Sequence, residues 1–355
     1  MTPTTPPTRR STMLRRRRVP EPVTPLTGVD VVLADLDGVV YAGPAAIPFA
    51  VESLNRAAET MRVGYLTNNA SRTDQSVADH LSELGLHTVA TDVVTSPQAA
   101  VRLLADEVPA GSRILVIGGE GLLTEVEKGG FVVTRSADDA PAAVIQGFSP
   151  DLGWKDLAEA AFALHPNEDG VEIPWIATNT DWTIPVARGI APGNGTLVSA
   201  VHIAVGRLPI VAGKPEVAIF TEAVTRFDAQ APLFIGDRLD TDILGANRAG
   251  IPAALVLTGI DKAKQTLAAD AQSRPTYILD DLRQLHEPYP QTVFSKDGSS
   301  ATVNGATVRI VGADVTIVAE GDGAINLLRA ACAAIWASGR PIYGLTVPER
   351  LYLGR

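Results

Sequence analysis

Two acidic side chains stand two residues apart directly after a predicted buried strand. Asp35 and Asp37 follow the apolar run at 29–34, within the sequence Asp-Leu-Asp-Gly. Side chains alternate along a strand, so two carboxylates with this spacing point in the same direction. A calcium loop is excluded because Val39 and Val40 stand where such a loop requires Asp or Asn and then Gly. On this pattern alone, an acidic turn, a glycosyltransferase metal motif and a catalytic pair all remain open.

A second polar cluster follows the next predicted strand, at 62–66. Thr67, Asn68 and Asn69 supply a hydroxyl and two amides just before a predicted helix that Ser71 caps. Backbone N–H groups at the start of a helix bind anionic oxygens, which makes this segment a candidate site for an anionic oxygen. The alternative is a polar loop with an ordinary helix cap.

A lysine follows a further short strand, at 209–211. Lys214 stands within Gly-Lys-Pro, and a phosphate-binding P-loop is excluded because Leu208 and Pro215 occupy positions that require Gly and Ser or Thr. Taken alone, such a lysine is usually a solvated side chain.

The most informative segment follows the predicted strand at 233–235. Gly236 and Asp237 come at its end and Asp242 five residues later, while Asp240 is predicted to be exposed. Short β-branched strands alternate with helical stretches along the chain, which is typical of an α/β fold with a parallel sheet. In such sheets ligands bind at the carboxyl ends of the strands, and each of the four motifs stands at a strand end.

The same pattern divides the chain into parts. These are an α/β core with a doubly wound, Rossmann-like parallel sheet (26–107 and 207–285), an inserted α/β cap domain (108–206), a small α+β C-terminal domain (286–355) and a disordered Arg-rich arm (1–25). In the C-terminal domain, Asn304-Gly305 predicts the turn of a β-hairpin, and 342–347 is predicted as a last strand. The composition of the arm predicts disorder.

Charge and composition exclude several classes of protein. Residues 1–20 hold six arginines and no acid, although the net charge of the whole chain is −10. An acidic body argues against nucleic acid as the main partner, because phosphate contacts need a basic surface. No apolar run approaches the roughly 18 residues of a membrane span. The single cysteine, Cys332, fits a reducing compartment and predicts a cytoplasmic protein.

Together the four motifs resemble those of the haloacid dehalogenase superfamily of phosphohydrolases. Their residues are similar to those of the NagD or p-nitrophenyl-phosphatase subfamily. The matching core segments are Leu36-Asp37-Gly38-Val39, Thr67-Asn68-Asn69, Gly213-Lys214-Pro215 and Gly236-Asp237-Arg238-Leu239, and the matching cap segment is Thr178-Asn179 with Asp181. The additional C-terminal domain is similar to that of actinobacterial glycerol 3-phosphate phosphatases. The resemblance covers residues 26–285.

The resemblance implies a role for each core motif. Asp35 would be the nucleophile that forms an aspartyl phosphate, and Asp37 would protonate the leaving group and later deprotonate the attacking water. Mg²⁺ would be held by Asp35, the Asp37 backbone carbonyl and Asp237. The remaining core assignments are phosphoryl binding by Thr67, Asn68, Asn69 and Lys214, and support from Asp242 and Gly236.

The predicted substrate is a small phosphorylated metabolite, bound between the core and the cap. Thr178, Asn179, Asp181 and Arg188 are the candidate specificity residues of the cap, although a turn with local hydrogen bonds explains them equally well. Glycerol 3-phosphate is the substrate favoured by the resemblance. Phosphoglycolate, pyridoxal 5′-phosphate or a broad range of small phosphates are the alternatives within the enzyme class, and a phospho-accepting signalling module is the alternative outside it.

The C-terminal domain also carries a weaker resemblance. A strand followed by Gly321-x-Gly323 and a helix resembles the acyl-CoA pyrophosphate turn of acetyltransferases, but Val318 stands where that family has Arg or Gln. The domain is therefore predicted to be a partial, non-catalytic acetyltransferase-like fold that serves packing or self-association. A homodimer is one assembly that this predicts.

Overall fold

A computed structural model describes residues 23–166, 170–186 and 188–353. Almost all of the predicted Arg-rich arm lies outside the described residues. No described helix has both the length and the apolar character needed to cross a membrane.

The core is a six-stranded parallel sheet with helices on both faces. Its strands, in spatial order, are Tyr277–Leu279, Ala253–Val256, Pro232–Gly236, Val31–Asp35, Arg62–Thr67 and Val93–Thr95. Val31–Asp35 lies near the centre and is buried along its whole length. Its side chains alternate between two hydrophobic clusters, with Leu33 on one face of the sheet and Val32 and Ala34 on the other. The predicted doubly wound α/β fold is confirmed.

Six helices of the described chain flank this sheet, and a threonine side chain caps two of them. The six are Ala50–Ala58, Asp74–Glu83, Ser96–Glu107, Val217–Phe227, Leu244–Arg248 and Ala263–Leu267. The Thr95 side chain accepts from the backbone N–H of Gln98, and the Gln98 side chain accepts from the N–H of Thr95, which is a capping box. Thr73, rather than the predicted Ser71, caps the second helix.

The inserted segment builds a second parallel sheet, which we call the cap sheet. Its strands, in spatial order, are Ile210–Val211, Trp175–Ala177, Ala143–Gln146, Arg113–Ile117 and Val132–Thr134. The helices Glu120–Lys128, Trp154–Leu164 and Asn194–Val205 and an antiparallel hairpin of Thr183–Val186 with Gly189–Pro192 complete this region.

The strand that precedes Lys214 corrects one predicted boundary. The sequence assigns 207–285 to the core, but Ile210–Val211 pairs with Trp175–Ala177 of the cap sheet. An apolar strand of two residues carries too little pattern to indicate which sheet it joins, and only the pairing decides. Lys214 therefore follows a strand of the cap sheet while its side chain reaches Asp35 of the core.

The C-terminal residues form an antiparallel sheet covered by one helix, which we call the tail module. Its elements are the strands Thr292–Phe294, Ser300–Val303, Ala306–Val311 and Asp314–Ala319 and the helix Ala324–Ala337. The predicted turn at Asn304-Gly305 joins two of these strands. The strand predicted at 342–347 is wrong, because Ile342–Gly344 forms a 3₁₀ turn and only Thr346 bridges to the sheet.

Two phenylalanines, one buried and one exposed, allow the contribution of core packing to stability to be tested. Phe220 is fully buried and packs edge-to-face on Phe234 at 5.0 Å between ring centroids. We expect Phe220→Ala to lower the free energy of unfolding by about 3–5 kcal/mol, measured by chemical denaturation. The control is Phe162→Ala, where the ring is 60 % exposed, and its change should stay within about 0.5 kcal/mol. Similar losses in the two variants would contradict this packing.

Candidate active site

Three buried carboxylates lie together at the carboxyl edge of the core sheet. Asp35 is the last residue of its strand, Asp237 follows the neighbouring strand, and Asp242 lies on a single π-helical turn, Leu239–Ile243. One oxygen from each carboxylate can be chosen so that all three lie within 4.8 Å of one another. The sequence motifs that predicted a shared site thus meet in space.

Lys214 supplies the buried positive charge of this cluster. Its Nζ lies 2.5 Å from Asp35 Oδ1 and 2.8 Å from Asp242 Oδ1. The second oxygen of Asp242 accepts the backbone N–H groups of Asp237 and Arg238, each at 3.1 Å. Asp242 is therefore held by the loop that follows the strand, and it in turn orients the lysine.

Gly236 allows Asp242 to approach this closely. A Cβ at position 236 would overlap the Asp242 side chain, so any larger residue would push the carboxylate away from Lys214. This gives a physical reason for the glycine that the sequence places before Asp237.

Burial and mutual repulsion raise the proton affinity of the acids. Burial, with Asp242 as the next cause, raises the pKa of Asp35 well above its usual range, although Lys214 opposes the shift. The same two causes raise the pKa of Asp237 to about 7. Burial alone would lower the pKa of Lys214, but the carboxylates of Asp242 and Asp35 outweigh it and raise the value. The lysine is a fixed cation in this site.

The carboxylate cluster fits a divalent cation. Asp237 Oδ2 accepts the Ile260 N–H at 2.6 Å, whereas the buried Asp237 Oδ1 has no hydrogen-bond partner among the described residues. A buried carboxylate oxygen without a partner is costly, and a cation would satisfy it. The donors are all oxygen atoms, which suit Mg²⁺ or Ca²⁺ better than Zn²⁺.

Asp37 lies two residues beyond Asp35, where the chain turns back on itself. The Gly38 N–H donates to the Tyr41 carbonyl at 2.9 Å, which closes the turn. Asp37 is exposed at the mouth of the site, yet the surrounding walls displace water, and this desolvation raises the pKa of its carboxyl against the opposing charges of Lys214 and Arg72. A raised pKa suits a group that must donate a proton.

Of the predicted phosphate-binding residues, Thr67 and Asn69 make hydrogen bonds within their own loop, whereas Asn68 bonds to Lys214 and to the cap. Thr67 Oγ1 accepts the Asn69 N–H at 3.1 Å, and Asn69 Oδ1 accepts from the N–H and hydroxyl of Ser71. The Asn68 amide donates to the Lys214 carbonyl and to Asp181 Oδ1, and its oxygen accepts the Lys214 N–H at 2.8 Å. We call Asn68 the bracket, because its side chain hydrogen-bonds the backbone of Lys214 and the cap residue Asp181. Binding of phosphoryl oxygens by Thr67, Asn68 and Asn69 stays a prediction.

Two of the four predicted cap residues, Asn179 and Asp181, hydrogen-bond to Asn68, and Thr178 directly precedes Asn179. Thr178 and Asn179 are buried, and Asn179 Nδ2 donates to the Asn68 carbonyl at 2.7 Å. Asp181 is half-buried beside Asn68, and burial raises the pKa of its carboxyl. Arg188 is exposed at the tip of the cap hairpin and makes no hydrogen bond or ion pair to these residues in the described part of the chain.

One loop of the site was missed by the sequence motifs. Residues 257–262 follow the strand Ala253–Val256 and place Ile260 against Asp237, while Asp261 Oδ2 accepts the Leu239 N–H at 2.6 Å. Only its position could have predicted its place in the site, since it also follows a strand of the parallel sheet, where ligands bind. Its polar residues, Thr258, Asp261 and Lys262, stand among Leu, Gly and Ile without a recognisable motif, so the pattern alone does not single them out.

Comparison with known proteins decides the family. A family model described as haloacid dehalogenase-like hydrolase matches residues 32–132, and one described as HAD-hydrolase-like matches 211–285. D-glycerol 3-phosphate phosphatase of Mycobacterium tuberculosis is 44 % identical over 315 residues, covering 86 % of each chain. The chain belongs to the haloacid dehalogenase-like hydrolases. The family predicted from the four motifs is confirmed, and these matches do not support a signalling module.

Solved structures agree with this assignment. A glycerol phosphate phosphatase of Mycobacterium tuberculosis, crystallised with magnesium, superposes with a TM-score of 0.81 at 41 % identity, covering 92 % of this chain and 94 % of the other. A p-nitrophenyl phosphatase from Archaeoglobus fulgidus gives a TM-score of 0.66 at 26 % identity, covering 73 % of this chain and 98 % of its own. The likeness to the mycobacterial structure thus extends over more of this haloacid dehalogenase-like chain.

The raised pKa of Asp237 predicts the pH dependence of stability without metal. A carboxyl whose pKa rises from about 4 in the unfolded chain to about 7 in the folded one binds its proton more tightly when folded. Its stabilisation is complete at low pH and is lost as the pH rises through about 7. In chelator, we expect the Tm to fall between roughly pH 5 and pH 7 and Asp237→Asn to reduce that fall.

The matched control is Asp138→Asn, an exposed acid on the 3₁₀ turn Ala137–Asp139 of the cap. It should keep the wild-type pH dependence of the Tm. An equally steep fall in Asp237→Asn would show that this carboxyl is not the group that titrates.

Proposed function

We propose that this chain is a Mg²⁺-dependent phosphomonoester hydrolase that converts glycerol 3-phosphate to glycerol and inorganic phosphate. The observation that carries the proposal is the buried contact of Lys214 with Asp35 at the sheet edge. This contact supports the proposal because the carboxylate that we propose as the nucleophile then has beside it a fixed cation able to neutralise a phosphoryl group. The identity to mycobacterial D-glycerol 3-phosphate phosphatase supports the choice of substrate.

Two carboxylates divide the chemistry. Asp35 attacks phosphorus through a carboxylate oxygen while the bond to the ester oxygen breaks, and Asp37 gives that oxygen its proton. Asp37, now ionised, takes a proton from water as the water attacks the aspartyl phosphate, which releases phosphate and restores both acids. Lys214 offsets the negative charge of the phosphoryl oxygens and Asp35 throughout.

A magnesium ion fits the carboxylate cluster described above. Asp35 and Asp237, together with the backbone carbonyl of Asp37, are the residues we propose to hold it, with Asp242 orienting Lys214 instead. When bound, Mg²⁺ supplies charge neutralisation for the phosphoryl oxygens and keeps Asp35 ionised. The magnesium complex of the mycobacterial phosphatase supports the choice of this ion.

The cap carboxylate supports a neutral, hydroxyl-bearing leaving group. Asp181 lies beside Asn68 and Lys214, at the junction of the cap and the core site. A carboxylate there accepts hydrogen bonds from hydroxyl groups such as those of glycerol, and it repels a second carboxylate such as that of phosphoglycolate. We therefore place the glycerol moiety against Asp181.

Two further properties stay predictions. A homodimer and a cytoplasmic location follow from the sequence reasoning given above, and the described residues carry no test of either. Gel filtration with light scattering measures the assembly directly.

Loss of the nucleophile tests the reaction. Asp35→Asn should reduce phosphate release from glycerol 3-phosphate by roughly 10⁴-fold or more, because an amide cannot form the acyl phosphate. Circular dichroism should show an unchanged fold. The exposed-acid variant Asp138→Asn serves as control and should turn over normally. Substantial turnover by Asp35→Asn would rule out the aspartyl-phosphate route.

Loss of the general acid should depend on the leaving group. For glycerol 3-phosphate, Asp37→Asn should slow turnover by about 10²–10⁴-fold, because the departing alkoxide must be protonated. With p-nitrophenyl phosphate the leaving group is stable as an anion, so one equivalent of nitrophenol should appear in a burst. Turnover should then stall, because no base activates the water. Rapid-mix absorbance measures the burst, and equal slowing with both substrates and no burst would refute the assignment.

A further inference from the structure

The tail module contacts the site region through one short core helix. Ala263–Leu267 packs against the tail helix Ala324–Ala337. Ala263 and Leu267 are buried in the same hydrophobic cluster as Leu328 and Cys332 of the tail helix. The core and the tail module thus share one continuous hydrophobic core at this point.

A second contact fixes the same junction. Arg329 of the tail helix donates through Nε and Nη2 to the Ile278 carbonyl, at 2.9 and 2.7 Å, and through Nη2 to Gln284 at 2.9 Å. Its guanidinium also lies 4.4 Å from the centre of the Tyr289 ring. Ile278 belongs to the edge strand of the core sheet, so the tail helix is hydrogen-bonded to that edge as well as packed against it.

The short helix begins directly after the loop that holds Asp237. Residues 257–262 connect the strand Ala253–Val256 to Ala263–Leu267, and Ile260 of this loop donates to Asp237 Oδ2 at 2.6 Å. The Asp261 N–H also donates to the Asp237 carbonyl at 3.1 Å. A side chain at Gly259 would overlap the Asp237 carboxylate, so the loop backbone sets where this carboxylate can lie.

The loop also reaches the turn that contains Asp37. Thr258 Oγ1 donates to the Gly38 carbonyl at 2.6 Å. Lys262 Nζ donates to the Leu257 carbonyl at 2.6 Å and closes the loop on itself. We call residues 257–262 the brace loop, because its hydrogen bonds hold the segments after two neighbouring strands, at Asp237 and at Gly38.

We propose that the tail helix, by packing against Ala263–Leu267, holds the brace loop in place. The brace loop thereby positions Asp237 to bind the divalent cation. The inference extends the proposed function, on whose cation site it rests, and assigns the tail module a positioning role in place of a catalytic one. Hydrogen bonds to a metal ligand commonly affect metal affinity by roughly 10–100-fold, and a helix that holds such a donor acts one step further away.

Packing variants at the junction test this role. Leu267→Ala and Leu328→Ala remove buried side chains on opposite sides of the contact. We expect each to raise the Kd of Mg²⁺, measured by calorimetry without substrate, by about five- to tenfold, just below the range for direct partners. At saturating Mg²⁺, kcat and KM should stay within about twofold, since the chemical groups are unchanged.

The control removes a leucine of equal burial elsewhere. Leu54→Ala, on the helix Ala50–Ala58 in a different hydrophobic cluster, should lower the Tm similarly and leave the Kd of Mg²⁺ unchanged. An unchanged Kd in both junction variants, or an equal rise in Leu54→Ala, would overturn the proposal. If Leu267→Ala does not fold, Leu267→Val gives the same comparison with a rise of about twofold, scaled to its smaller cavity.

A matched pair tests the brace loop itself. Thr258→Val removes the hydroxyl that donates to Gly38 and keeps the shape, whereas Thr258→Ser keeps the donor. We expect the Kd of Mg²⁺ to rise in the valine variant and to stay at the wild-type value in the serine variant; equal values in both would contradict the role of this hydrogen bond. Because calorimetry needs no turnover, a chain that binds Mg²⁺ but hydrolyses no glycerol 3-phosphate would refute only the proposed substrate.

Discussion

One buried lysine between two buried carboxylates is the interaction on which the rest of the site depends. Moving charges from water into a protein interior costs more than a single ion pair returns, unless further hydrogen bonds satisfy the remaining groups. Here Asp242 receives two backbone N–H groups as well as Lys214, and Asp35 receives Lys214 at 2.5 Å. One lysine cannot balance the carboxylates of Asp35, Asp242 and Asp237 together, so the cluster has a surplus of negative charge, and this is why the site suits a cation and, with the cation present, an anionic substrate.

The position of that lysine ties the cap to the core. Lys214 follows a strand of the cap sheet, and the amide of Asn68 hydrogen-bonds both its backbone N–H and its carbonyl. The same amide also donates to Asp181 of the cap. Lys214, which we propose to neutralise the phosphate, and Asp181, which we propose to contact the leaving group, are therefore hydrogen-bonded to the same asparagine. Under the proposed function, this geometry couples specificity in the cap to charge stabilisation in the core.

The tail module packs next to the loop that supports Asp237. Leu328 and Leu267 are buried in one hydrophobic cluster, and Leu257 of the brace loop packs against that cluster. The backbone N–H of Ile260, in the same loop, donates to Asp237. A carboxylate that must accept a cation in a defined place needs support on its other oxygen, and that support comes from backbone whose position depends on packing far from the site. Under the positioning role that we propose, this packing connects the tail module to the cation site.

The sequence by itself determined the family, through the resemblance of four motifs taken together. Local rules placed Asp35 and Asp237 at strand ends and predicted the hairpin at Asn304-Gly305, because strand periodicity and turn signals are properties of neighbouring residues, whereas Lys214 taken alone indicated only a solvated side chain. Tertiary structure alone decided the rest. The two-residue strand Ile210–Val211 pairs with the cap sheet, the Asn68 amide serves as a bracket, and the Ile260 N–H meets Asp237 across 23 residues of sequence. Backbone donors and short apolar strands look alike in any sequence, and only the folded chain shows which partners they meet.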